Sequence, residues 1–118
     1  MKNKSPTYLL DKVLIERKQA LEAERQLTFK QVQQWLEANG KRYGIEQAYI
    51  FGSLIRPHRF TKKSDVDLAV ESIEPEHMFM SMTALAESLG REVDLVELCK
   101  CPFAHRIRQE GILWTKTL

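Results

Sequence analysis

Three segments of this chain carry residue types that can do chemistry together: Phe51-Gly52-Ser53, then Ser64-Asp65-Val66-Asp67-Leu68, then Val93-Asp94-Leu95-Val96. A Gly-Ser turn brings backbone N–H groups against a phosphate, since glycine lets the chain approach closely and the serine hydroxyl adds a donor. Carboxylates at i and i+2 of a strand project from the same face. Asp94, on a neighbouring strand, would complete a cage for two metal ions. Acids set among apolar residues repel one another unless cations compensate, so the pattern asks for divalent metal. Hard oxygen ligands favour magnesium or manganese over zinc. Phosphate at the turn and metal at the acids together make the arrangement that phosphoryl or nucleotidyl transfer needs. One ion holds the triphosphate and leaving group, and the other lowers the pKa of an attacking hydroxyl.

Each part has a plainer reading when taken singly. Asp65 and Asp67 suit a solvated sheet face, and Asp94 suits an exposed acid at a sheet edge. Against this, Asp is depleted in strands, and the segment otherwise has strong strand character. The loop from Leu54 to Ser64 is basic, with Arg56, His58, Arg59, Lys62 and Lys63, and Pro57 interrupts any long helix in it. Its cations either neutralise a triphosphate, with Arg56 favoured, or are simply solvated. Other chemistries find less support. His58, His77 and His105 share no metal-ligand spacing, and no Ser-His-Asp assembly is formed. Cys99, Cys101 and His105 offer three zinc ligands where a structural site needs four. Gly52-Ser53-Leu54-Ile55-Arg56 lacks the second glycine and the lysine of a Walker loop.

The elements that must position these residues follow from periodicity. Ala48-Tyr49-Ile50-Phe51 reads as a strand entering the Gly52-Ser53 turn, and a helix opening at Ser53 would aim its N–H groups and dipole at an anion. Val66, Leu68 and Val70 alternate as the buried face of the next strand, which leaves Asp65, Asp67 and Glu71 on the opposite face. Glu74-Pro75 opens a helix with Met78, Phe79, Met82, Leu85, Ala86 and Leu89 at helical spacing, ended by Gly90. In the strand after it, Val93, Leu95 and Glu97 share one side and Asp94, Val96 and Leu98 the other. Pro102 starts a short helix through about Gln109, and Ile112-Leu113-Trp114 forms a last, peripheral strand. Upstream, Ser5-Pro6 signals a helix start, and Leu9, Leu10, Val13, Leu14, Ala20 and Leu21 recur at helical spacing to about Leu27. Thr28 with Gln31 reads as a capping box for a second stretch carrying Val32, Trp35 and Leu36, ending near Gly40. The alternative is one long kinked helix. This segment either packs across the sheet or offers a face to a partner.

The 118 residues suit one domain, a helical segment over 1–40 followed by a core over 46–116, with no room for a separate large-substrate domain. Hydrophobic residues make up 43% and charged residues 29%, and no apolar run approaches the roughly 20 residues that span a bilayer. The basic start is followed by Asp11, Lys12 and Glu16, which break a signal-peptide pattern, so a soluble cytoplasmic protein is expected. A net charge of +2 does not announce nucleic-acid binding. The spacing of Cys99 and Cys101 cannot staple distant parts of a fold.

The order and separation of Phe51-Gly52-Ser53, Asp65-Val66-Asp67 and Asp94 resemble the active-site signature of the DNA polymerase beta nucleotidyltransferase superfamily, in its minimal prokaryotic branch. The resemblance runs from about Ala48 to Trp114. Arg56 and Ser64 also sit where members often carry such residues, whereas the position after Ser53, frequently Arg, is Leu54 here. The resemblance implies an α+β fold with a mixed sheet flanked by helices, preceded here by the N-terminal helical extension. It implies ATP or another nucleoside triphosphate as donor and two magnesium ions on Asp65, Asp67 and Asp94, with Gly52, Ser53, Arg56 and Ser64 toward the nucleotide. Many members of this size are antitoxins that inactivate a small helical HEPN-type ribonuclease toxin, by transferring AMP to a tyrosine or by forming a complex with it. The expected function is therefore that of a protein adenylyltransferase. A contact-only antitoxin with a vestigial pocket, or transfer to a small molecule of the aminoglycoside kind, stands as the alternative.

Overall fold

The computed structural model describes residues 7–117. A long helix α1 (Tyr8–Asn39) and a 3-10 turn (Gly40–Tyr43) lead into strand β1 (Gln47–Phe51), which is followed by a second 3-10 turn (Gly52–Ile55). Strand β2 (Val66–Val70), helix α2 (Pro75–Leu89), strand β3 (Val93–Glu97), a third 3-10 turn (Leu98–Lys100), helix α3 (Ala104–Glu110) and strand β4 (Ile112–Thr115) complete the chain. The four strands form one mixed sheet in the order β3-β2-β1-β4. β1 runs antiparallel to both β2 and β4, whereas β2 and β3 are parallel and joined through α2. The fold class is α+β.

The alternation read in β2 holds for Val66, Leu68 and Val70, each at most 3% exposed. They meet Ile50, Leu95 and the apolar side of α1 and α2 in the main core. In α1 the buried positions are Thr28, Val32, Trp35 and Leu36, a helical stripe that docks on this face. Trp35 also stacks on Tyr43, ring centroids 5.7 Å apart. Pro75 stands in the first turn of α2, and Gly90 closes it at φ 67 with its N–H on the carbonyl of Ala86. The other face of the sheet is not left to water. Ala69, fully buried, packs with Leu98, Ala104 and Ile107, so α3 covers part of the face that carries the acids.

Three local expectations are corrected. The N-terminal segment is a single helix of 32 residues. Thr28 therefore lies in a helix interior, 5% exposed against the core, rather than capping a new start, because burial of the Thr28–Leu36 stripe outweighs the local preference of threonine for a cap. The proposed start at Ser5-Pro6 lies outside the described residues. In α2, Met78, Met82, Leu85 and Leu89 face the core but Phe79 is 69% exposed, since its place on the helix turns away from the sheet. Glu71 follows β2 and turns to Arg108 in a two-point ion pair at 2.7 and 3.0 Å, which takes it out of the row of acids. Leu36→Ala should lower the unfolding free energy by about 3 kcal/mol in a urea titration, while Phe79→Ala should change it by less than about 0.5 kcal/mol.

Candidate active site

Register brings the separated segments together. Phe51 of β1 stands opposite Asp67 of β2, and Asp67 stands level with Asp94 of β3. Directly paired residues point to one side of a sheet, so Phe51, Asp67 and Asp94 form a row across one face. The next row on that face is Tyr49, Ala69 and Val96, the part covered by α3. The acids therefore occupy the open end of a surface whose other end is closed by apolar packing. Asp65 lies just before β2, half-buried on the approach to the row. Asp94, at its outer end, is exposed.

Gly52 sits directly on Asp67. Its φ is +78, a left-handed conformation that side-chain-bearing residues avoid. A Cβ on Gly52 would also overlap Asp67 Oδ2 and lie 3.1 Å from its Cγ. Two independent constraints thus demand glycine at this position. The turn it opens is a four-residue 3-10 helix, Gly52–Ile55. A turn that short has little macrodipole, so the helix dipole expected from a helix opening at Ser53 is not supplied there.

Asp67 is pushed up from 3.8 to about 6, first by burial, then by the charge of Asp94, then by that of Asp65. A carboxylate held among others in a partly dry place is a donor set that fits a hard divalent cation. Among the described residues no three His, Cys, Asp or Glu side chains converge closely enough to hold an ion between them. The Asp67–Asp94 pair is the part that β-sheet register brings together without further adjustment.

Arg56 and Ser64 are placed differently from the acids. Arg56 pairs with Glu110 at 3.2 Å, both exposed, at the rim of a cleft of about 190 Å³ that also includes Gly52, Phe51 and Ile107. Ser64 Oγ accepts the N–H of Thr61 at 2.8 Å and closes the Thr61–Ser64 turn. Two arginines that sequence reasoning passed over hold the loops of the site. Arg91, its side chain 9% exposed, donates to the carbonyls of Thr61, Lys62 and Ser64 at 3.3, 3.1 and 3.0 Å. It also pairs with Glu24 at 2.8 Å and lies 4.6 Å above the ring of Phe60. The segment leading into Asp65 is thereby fastened to α1 and to the end of α2. Arg25, on α1, donates to the carbonyl of Leu54 at 2.9 Å and grips Glu22 with two further bonds. That bond ties the long helix to the Gly52–Ile55 turn. Neither arginine sits in a motif; the only local hint is their position on or beside elements that border the loop.

In comparison with protein-family models, residues 30–117 match the family described as Polymerase beta, Nucleotidyltransferase. The matched span contains Gly52, Ser53, Asp65, Asp67 and Asp94. Comparisons with curated proteins and with solved structures return no match.

The folded chain holds the proton of Asp67 more tightly than the unfolded chain does. The group therefore favours the folded state below about pH 4, and this contribution is lost as pH rises through about 6. Partial solvent exposure reduces the effect to about 1 kcal/mol, or about 4 °C in Tm. By thermal melting, Asp67→Asn should exceed the wild type by that amount at pH 8 and match it at pH 3.5. Millimolar Mg²⁺ should raise the Tm of the wild type more than that of the variant. Gly52→Ala should cost about 2 kcal/mol in chemical denaturation through the strained φ and the overlap with Asp67.

Proposed function

Because this chain belongs to the Polymerase beta nucleotidyltransferase family, we propose that it transfers AMP from ATP to a hydroxyl of a partner protein, a tyrosine of a HEPN-type ribonuclease toxin, and so acts as an antitoxin. The family's domain generally uses a nucleoside triphosphate and divalent metal. The observation that carries the transfer reading is the row Phe51–Asp67–Asp94 with Gly52 seated on its central carboxylate.

Asp67 and Asp94, with Asp65 from the approach to β2, are the residues that would hold two magnesium ions, manganese being the alternative. When bound, such ions neutralise triphosphate charge and lower the pKa of the acceptor hydroxyl. The chain's own residues do the remaining work. Gly52 and Ser53 present N–H groups and a hydroxyl to the phosphates, next to the cleft rimmed by Arg56 and Glu110. Leu54, which stands where an arginine is frequent, is fully buried and contributes packing there. Asp94 is open to solvent and therefore accessible to an acceptor held by another molecule. In the transfer the acceptor oxygen bonds to the α-phosphorus and the bond from that phosphorus to the pyrophosphate oxygen breaks. Pyrophosphate leaves with the electron pair, and the hydroxyl proton passes to Asp94.

The test incubates the purified chain with Mg²⁺, α-labelled ATP and a candidate HEPN-type partner protein. Label should move to the partner, and Asp67→Ala should slow transfer at least about 100-fold while the chain stays folded by circular dichroism. Absence of label on every partner with every nucleoside triphosphate overturns the proposal. Undiminished neutralisation of a co-expressed partner by Asp67→Ala would instead assign the antitoxin effect to contact alone.

A further inference from the structure

Helix α3 does more than dry one end of the acidic face. Phe103, its N-cap, stands with Arg106, Ile107 and Glu110 at i, i+3, i+4 and i+7, which places the four on one side of the helix. That side fronts Phe51, Gly52, Ile55 and Arg56 across the cleft of about 190 Å³. Gly52 belongs to the cleft and to the acids at once, since it lines the one and lies against Asp67 Oδ2. Phe51 likewise stands in the row with Asp67 and Asp94. A molecule whose phosphates lie at Gly52 and at cations on Asp67 therefore has the cleft on one side and the exposed Asp94 on the other. The walls of the cleft are two phenylalanines and two isoleucines. Ile107 is 5% exposed, whereas Phe103 is 51% exposed and offers its ring. Charge is confined to Arg56, Arg106 and Glu110, and each arginine orients one oxygen of the glutamate. Arg56 Nη2 is 3.2 Å from Oε2 and Arg106 Nε is 3.6 Å from Oε1. A carboxylate accepts at about four lone-pair positions, so both oxygens can still take a donor from a ligand.

We infer, resting on the reading of this chain as an ATP-dependent nucleotidyltransferase, that the cleft takes the base of the nucleotide, its ring stacked on Phe103 and its exocyclic amino group donating to Glu110. A nucleobase presents flat apolar faces and a hydrogen-bonding edge, and the cleft presents apolar walls with a few polar groups at the rim. Phosphate is a poor occupant, because the Glu110 carboxylate would repel it. The acceptor side chain is a poor occupant as well. Its hydroxyl gives up a proton to Asp94, which lies across Asp67 from Phe51 and the cleft. The row of three residues thus has a donor side and an acceptor side. Glu110 also selects among bases. Adenine sets an amino group toward the carboxylate, whereas hypoxanthine sets a carbonyl oxygen at the same ring position, and a carboxylate has no proton to give it.

Isothermal titration calorimetry of the full chain in Mg²⁺ compares ATP, inosine triphosphate and inorganic tripolyphosphate. Phe103→Ala should weaken ATP binding about 10- to 100-fold and leave tripolyphosphate binding within about 2-fold. Its Tm should stay within about 3 °C of the wild type, because the side chain is largely exposed. Phe103→Trp should restore ATP affinity, and ATP but not tripolyphosphate should quench the added indole fluorescence. The wild type should prefer ATP to inosine triphosphate by at least about 10-fold, and Glu110→Gln, whose amide both donates and accepts, should bring the two within about 3-fold. Equal affinity for ATP and tripolyphosphate overturns the inference and leaves nucleotidyl transfer standing, as does an unchanged ATP affinity in Phe103→Ala or a base preference that Glu110→Gln does not move. Failure of every nucleoside triphosphate to bind overturns both. Slower transfer to a partner protein by Phe103→Ala at unchanged ATP affinity assigns the cleft to the acceptor and overturns the inference as well.

Discussion

The carboxylate of Asp67 lies in the middle of a four-stranded sheet, pressed against the backbone of Gly52 and level with a second acid. Much of the architecture follows from placing a charge there. The residue above it must lack a side chain and tolerate a left-handed φ, which only glycine does readily. The strands on either side must bring Phe51 and Asp94 level with it. The face must be closed by apolar packing at one end, where Ala69, Val96 and α3 meet, and open at the other, where a ligand can arrive. Burial and like charge together lift the affinity of Asp67 for a proton, so the site is poised to take up a positive charge.

A site made of loops and strand ends needs support beyond the sheet, and two arginines supply it. Carbonyls in an irregular loop have no ladder to satisfy them, and Nη1 of Arg91 donates to those of Thr61, Lys62 and Ser64 while the guanidinium face rests on Phe60. Arg25 does the same for Leu54 in the Gly52–Ile55 turn. Both connect to α1, through Glu24 and through Arg25 itself. Half of the long helix is thus scaffold for the site, and the other half projects outward. The exposed pairs Arg56–Glu110 and Glu71–Arg108 contribute less, since water competes for both partners.

Much of the fold was legible in the residues. The strand alternation around Val66, Leu68 and Val70, the proline start and glycine stop of α2 and the peripheral last strand are all local patterns, set by neighbours two to four positions apart. Other features were misread where burial overrode local chemistry. Thr28 has the side chain of a cap, yet it lies inside a helix because the stripe from Thr28 to Leu36 is covered by the sheet. Phe79 has the side chain of a core residue, yet its angular position on α2 faces water. The Gly52-Ser53 turn was identified, but its helix is too short for the dipole expected of it.

The sequence by itself determined which residue types are available for chemistry and their spacing within each segment: a Gly-Ser turn, acids at i and i+2, and an acid in a later strand. Those are properties of contiguous chain, where backbone geometry dictates direction. Only the tertiary structure decided that Asp67 and Asp94 share a row, that Gly52 touches Asp67, that α3 dries one end of their face, and that Arg91 and Arg25 pin the loops. These are contacts between residues far apart in the chain. They depend on strand order and register, which the packing of the whole core selects because a slip of one residue would turn Asp67 inward and Leu68 out to water.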